Sequence, residues 1–362
     1  MRKSKHSLAM GKSGRTKTRA RLYSNFFLLP FLFFSACQKE LPEAQTQPRK
    51  EDSAQPQAPT GKAKNASPAQ ARAENTPSSL AQPGQKNKKA RQTGATPLTH
   101  SCAQLSCEQF PDAHEALDYL AAEDRPIVIG FGEAHGRRGQ KSVSTVQRFT
   151  KEILPLFQGH ASSLTLELLM PPQGGCAPAK ERAQATSQKI TQGQKETNQN
   201  EYVALGHAAL DHGITPDILR VSCAELSAAT ESEAPVASMM ALVASQTAKA
   251  LRLELEKNRT QNSPSSETQA STSLVLAYGG ALHNDPQPSP EKRTWSYGPE
   301  MKEATGNRFT AIDLLVADQM LDTPTWQAMP WYDSALAARQ QFTRGQVALI
   351  RLGEKSWTIL WL

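Results

Sequence analysis

The chain has 362 residues, of which 38% are hydrophobic and 21% charged, and a formal net charge of +7. The basic excess is local: residues 1–97 carry 18 Lys/Arg and 5 Asp/Glu, whereas residues 98–362 carry 23 basic and 29 acidic groups. The pI near 9.1 therefore does not describe the part able to fold, and nucleic acid is not expected as a partner.

The first 22 residues hold eight basic side chains and no acidic one. A short apolar run from Phe26 to Phe34, broken by Pro30, leads into Ser35-Ala36-Cys37. Such a run is too short to span a bilayer, and basic, apolar and small zones in that order form a secretory signal. The ending resembles the bacterial lipobox, whose cysteine becomes the lipidated first residue, although Phe34 stands where Leu is usual. Residues 1–36 are thus expected to be a lipoprotein signal peptide, and Cys37 the lipid-bearing residue that makes the membrane a partner. Gln38 follows in place of the Asp that marks inner-membrane retention in enteric bacteria. The expected location is the cell envelope, on the outer membrane, facing periplasm or exterior.

Residues 38–97 contain no aromatic residue and no Val, Ile or Met. A segment of this kind cannot bury enough apolar surface to offset the entropy of ordering its backbone. Residues 37–97 are read as a disordered tether, and a flexible coil of about 60 residues spans roughly 40 Å. Beyond Cys37 four cysteines remain: Cys102, Cys107, Cys176 and Cys223. An even number in an oxidising compartment suggests two disulfides, and the short separation of the first two favours 102–107 with 176–223.

Residues 98–362 suit one α/β domain. Apolar β-rich runs occur at Pro126–Phe131, Ser163–Leu168, Ile218–Ser222, Leu274–Tyr278 and Phe309–Val316. Helical patterns fall at Ala113–Ala122, Ser142–Phe157, Tyr202–His212 and Ala234–Lys257. Alternation of the two implies βαβ crossovers and a mainly parallel central sheet with flanking helices. Val347–Leu352 and Ser356–Leu362 flank Gly353-Glu354-Lys355 and read as a C-terminal antiparallel hairpin. The polar stretches 177–200 and 258–272 read as surface loops or insertions.

Ligands of open parallel sheets bind at the carboxyl ends of the strands. The first run is followed by Gly132-Glu133-Ala134-His135-Gly136, the second ends at Glu167, and the fourth is followed by Gly279-Gly280-Ala281-Leu282-His283. Glu133 and His135 are spaced i, i+2, so an extended segment points both to one side. Glu167 interrupts an apolar run, and a buried carboxylate needs a partner, which a histidine or a metal would supply. Arg137, Arg138 and Lys141 follow directly and are candidates to hold an anionic group of a substrate. Asp313 and Asp318 flank the last strand run and read either as strand-edge residues, the preferred reading, or as additions that complete the site. No Gly-x-Ser-x-Gly elbow and no His-Glu-x-x-His pair occurs.

Gly-Glu-Ala-His-Gly after a strand resembles the opening motif of the superfamily containing the erythromycin esterases, the ChaN-like haem-binding lipoproteins and the Tiki/TraB proteins. Leu164-Thr165-Leu166-Glu167-Leu168 and Gly280-Ala281-Leu282-His283 are similar to its second and third landmarks. The resemblance covers about 126–285 and implies one polar site made of Glu133, His135, Glu167 and His283. Two roles are implied: a histidine base activating water, or a divalent metal of the Zn or Mn class held by these four residues. The expectation is thus a metal-assisted or His-based hydrolase of a small-molecule or peptide substrate. The alternative is a surface lipoprotein that binds haem, iron or another ligand without catalysis.

Overall fold

The computed structural model describes residues 99–172, 174–261 and 273–362. The leader, Cys37 and the tether lie outside these residues, as does 262–272 of the second polar stretch.

The strands are β1 (Thr99–Cys102), β2 (Leu105–Phe110), β3 (Val128–Glu133), β4 (Ala161–Met170), β5 (Thr215–Arg220), β6 (Leu274–Gly280), β7 (Phe309–Val316), β8 (Val347–Gly353) and β9 (Ser356–Trp361). They form one nine-stranded sheet in the order β1-β2-β8-β9-β7-β3-β6-β4-β5. From β9 to β5 every pairing is parallel. The β8–β9 hairpin is antiparallel, and so are the pairings of β2 with β8 and β1 with β2. The mainly parallel sheet and its C-terminal hairpin are therefore as the patterning implies. The β1–β2 hairpin extends the sheet beyond the five runs and the hairpin legible in the sequence.

The helices are α1 (Ala113–Asp124), α2 (Thr145–Arg148), α3 (Ala177–Thr191), α4 (Asn198–Asp211), α5 (Cys223–Thr230), α6 (Pro235–Gln261), α7 (Ala281–Asn284), α8 (Gly298–Ala304), α9 (Pro324–Gln327) and α10 (Tyr332–Gln341). α5 and α7 to α10 are additional to the four helical patterns, and α4 begins before Tyr202; two further departures have local causes. The helix placed at Ser142 starts three residues later, because the Ser144 hydroxyl accepts from Gln147 N and caps it; it then runs on through a π turn to a 3-10 turn ending at Phe157. Most of 177–200 is helix rather than loop: α3 fills 177–191, where Ala, Lys, Arg and Gln favour helix despite low hydropathy.

Period-2 alternation divides the central strands between two cores. Ile129, Phe131, Leu276, Tyr278, Ile312 and Leu314 face Leu117, Phe149 and Leu205 from the α1, α2 and α4 side. Val128, Val275, Ala277, Phe309 and Ala311 face Leu251 and Met301 from α6 and α8. A further core lies under α10, where Trp326, Trp331 and Ala335 meet Leu315, Ile350 and Leu360. Both expected disulfides are present: Cys102–Cys107 closes the β1–β2 hairpin, and Cys176–Cys223 joins the starts of α3 and α5. No helix among the described residues is long and apolar enough to cross a membrane.

Candidate active site at the carboxyl edge of the sheet

β3 is flanked by β6 and β7, and Glu133, its last residue, is level with Gly280 on one side and Leu314 on the other. Glu133, His135, Glu167 and His283 are each at most 4% exposed. They form two carboxylate–imidazole pairs.

In the first pair, His135 Nδ1 lies 2.8 Å from Glu133 Oε1. The Tyr202 hydroxyl donates to the same oxygen at 3.1 Å and the Tyr278 hydroxyl to Oε2 at 2.6 Å. Three donors on one carboxylate offset its removal from water. Because a carboxylate offers only acceptors, the ring proton belongs on Nδ1 and the basic lone pair falls on Nε2. Burial, reinforced by the charge of Glu133, holds both tyrosines well above their usual pKa, so they remain donors.

In the second pair, His283 Nε2 lies 3.2 Å from Glu167 Oε1. Its Nδ1 lies 2.6 Å from the Trp295 carbonyl. Both ring nitrogens face acceptors, which calls for a proton on each. Burial alone disfavours that charge, but Glu167, by charge and by hydrogen bond, and the Trp295 carbonyl outweigh it and raise the pKa. Glu167 reaches this position through an irregularity in β4: the β4–β5 register jumps between Leu166 and Leu169. Such a bulge re-aims a side chain at a sheet edge. The carboxylate lies over Gly279 and accepts from Gly280 N at 2.5 Å.

The pairs converge on Gly280. A Cβ there would stand 3.2 Å from His135 Nε2, 3.7 Å from Glu167 Oε2 and 3.7 Å from His283 Cδ2. The approach of His135 is tight for a Cβ, and at Gly279 a Cβ would overlap Glu167 Oε2, an approach that only glycine permits.

The link between α3 and α4 packs behind the motif. Lys195 N and Asn198 Nδ2 donate to the Gly136 carbonyl at 2.8 and 3.1 Å, and Arg138 N donates to Gly193 O at 3.1 Å. The polar stretch read as a surface loop or insertion is therefore tied to the backbone of the motif. Of the three basic residues that follow the motif, Arg137 lines a small cleft of about 10 Å³ beside His135. Arg138 and Lys141 are exposed, and Arg138 faces Glu196 at 3.8 Å.

A second cavity, of about 280 Å³, opens beside Glu133 and Ala134. Its wall includes Asp313, which takes the less favoured of its two sequence readings, and Asp285, Trp326 and Trp331, which were not expected at the site. Burial, and next the charge of Asp285, pushes Asp313 up to about 8. Burial likewise raises Asp285. Asp318, by contrast, is exposed and faces Arg339 and Arg344, as a strand-edge residue would.

No family model, curated protein or solved structure matches the chain. The superfamily resemblance thus rests on the three motifs alone.

As they stand, the four side chains do not make a metal cage. Both oxygens of Glu133 are occupied by hydrogen bonds, as are Glu167 and both nitrogens of His283. No group of three or more His, Cys, Asp or Glu among the described residues is arranged to hold a metal ion. Of the side chains that serve as axial haem ligands, the lining of the larger cavity offers only Met329.

Proposed function

We propose that the chain is a hydrolase of carbonyl compounds (esters, amides or peptides) in which His135 is the general base. The observation that carries this reading is the buried Glu133–His135 pair, with Tyr202 and Tyr278 holding the carboxylate. A histidine oriented through Nδ1 by a fixed carboxylate is the arrangement of a general base that takes its proton on Nε2.

A water beside Nε2 gives its proton to His135 while its oxygen bonds to the carbonyl carbon, and the C=O π pair moves to oxygen. Arg137, the basic residue at the small cleft, is assigned to that developing charge. As the tetrahedral intermediate collapses, the C–O or C–N bond breaks and His135 returns the proton to the leaving oxygen or nitrogen. Glu133 stabilises the imidazolium in between. Glu167, fixed by Gly280 N and His283, orients the water. The small cleft is close to the minimum of roughly 10–15 Å³ that a water requires.

Chelation separates this mechanism from a metal-assisted one. Hydrolysis by the purified chain is expected to survive exhaustive chelation. Loss of activity that Zn²⁺ or Mn²⁺ restores would overturn the metal-free base. An absorption spectrum of the same sample tests the ligand-binding alternative, since a haem band would favour it.

The site is placed outside the cytoplasm by the leader, with the lipid on Cys37 as anchor. Cys37→Ser is expected to move the protein from the membrane to the soluble fraction; unchanged partitioning would contradict the anchor.

A further inference from the structure

The larger cavity has a lopsided chemistry. Ala311, Asp313 and Leu315 are successive same-face positions of β7, and all three line it. Asp285, one residue beyond α7, and Glu133 add two more carboxylates. No Lys, Arg or His is among its lining residues. Glu133 is already engaged by three donors. Asp285 accepts from Gln287 N at 2.8 Å through Oδ1 and Asp313 from the Asn284 side chain, so each meets a ligand through its other oxygen. Apart from Gln287 and Ser356, the remaining wall is apolar and aromatic. Trp326 and Trp331 are both buried, and their rings meet edge-on with centroids 5.5 Å apart. Met329 lies between them in sequence and also lines the cavity.

Burial and Asp285 keep a proton on Asp313. An ammonium beside the two acids favours their carboxylate forms, so a cation binds with release of that proton, whereas an anion has no basic lining residue to pair with. Buried indoles opposite favour an apolar body, and their faces attract a cation as well. A volume of about 280 Å³ is at the small end for ligand pockets, which run from about 300 Å³ upward, so the occupant is a small molecule or one side chain of a larger one.

We propose that this cavity is the substrate pocket of the site and selects a group with a cationic amine on an apolar body, the amine against Asp285 and Asp313 and the body against Trp326, Met329 and Trp331. That the occupant is a substrate rests on the hydrolase reading, but the pocket's preference for a cation is testable without turnover.

The probes are 4-phenylbutylamine, the neutral 4-phenyl-1-butanol and the anionic 4-phenylbutyrate, titrated into the full chain by calorimetry with tryptophan fluorescence alongside. The amine is expected to bind at least tenfold more tightly than the alcohol, with the carboxylate weakest. Asp285→Asn and Asp313→Asn should each reduce the preference, and the double variant, if its circular dichroism is native, should abolish it. Equal binding of amine and alcohol, tighter binding of the carboxylate, or no binding of any probe overturns the proposal, and titration of the native chain alone is enough to do so. The two readings fail separately: hydrolysis that needs His135 with no amine preference sinks the pocket and spares the base, whereas an amine preference without hydrolysis does the reverse.

Discussion

At the scale of single residues, the site is a matter of where protons sit. Asp313 illustrates the cost. Its folded pKa is raised to about 8 from the ordinary 3.8, so the native state holds a proton that the unfolded chain releases. That contribution to stability is complete below the unfolded value and is lost as pH rises toward and through about 8. Asp313→Asn keeps the shape and removes the titration. Thermal unfolding at pH 5 and pH 8 should therefore show a smaller loss for the variant than for the native chain. Identical losses would show that Asp313 is not a buried acid. Sequence-local features of the site were legible: Glu133 and His135 sit two apart, and Gly280 and His283 three apart. The partners were not. Tyr202 and Tyr278 reach Glu133 from 69 and 145 residues away, and in sequence each looks like any core tyrosine.

At the scale of elements, strands were easier to read than what lies between them. A buried parallel strand is a continuous apolar run, and β3, β6 and β7 all are. The helix α3 escaped because its buried positions are Ala179, Ala183, Thr186 and Ser187, too small or polar to register as an apolar stripe. The β1–β2 hairpin escaped because its pattern is short and its disulfide, not its hydropathy, ties it together. The β4 irregularity that aims Glu167 also leaves no sequence mark, yet it sets the closest packing in the site, against Gly279 and Gly280 at the end of β6. Gly280→Ala places a methyl 3.2 Å from His135 Nε2, and that ring must give by a few tenths of an ångström. A shift of about 1 Å at a reacting group costs on the order of 10² in rate. The variant should therefore fold, with kcat lowered by less than that factor. An unchanged kcat would remove Gly280 from the site's geometry.

At the scale of the whole molecule, one sheet carries two kinds of work. Its parallel half presents the Glu/His pairs and the cavity at the carboxyl edge, and its antiparallel half supplies the floor under Trp326 and Trp331. The disulfides belong to the outer parts, and their sequence separations of 5 and 47 residues predict unequal effects. In the loop-entropy account, opening the longer one costs about 4 kcal/mol and the shorter about 2 kcal/mol. Cys176→Ser with Cys223→Ser should thus lower the midpoint of urea unfolding more than Cys102→Ser with Cys107→Ser. The opposite order would mean that the β1–β2 hairpin, not the α3–α5 junction, limits stability.

Everything proposed about chemistry depends on His135 as the base, with its tautomer set by Glu133. Turnover of a panel of chromogenic esters, anilides and peptides by the full chain, beside His135→Ala and Glu133→Gln with native circular dichroism, addresses that dependence. General-base catalysis contributes about 10²–10⁴ in rate, so at least one substrate class should be hydrolysed by the native chain and kcat should fall by that range in both variants. Hydrolysis that persists undiminished in His135→Ala, or a native chain inert toward every class, would contradict it.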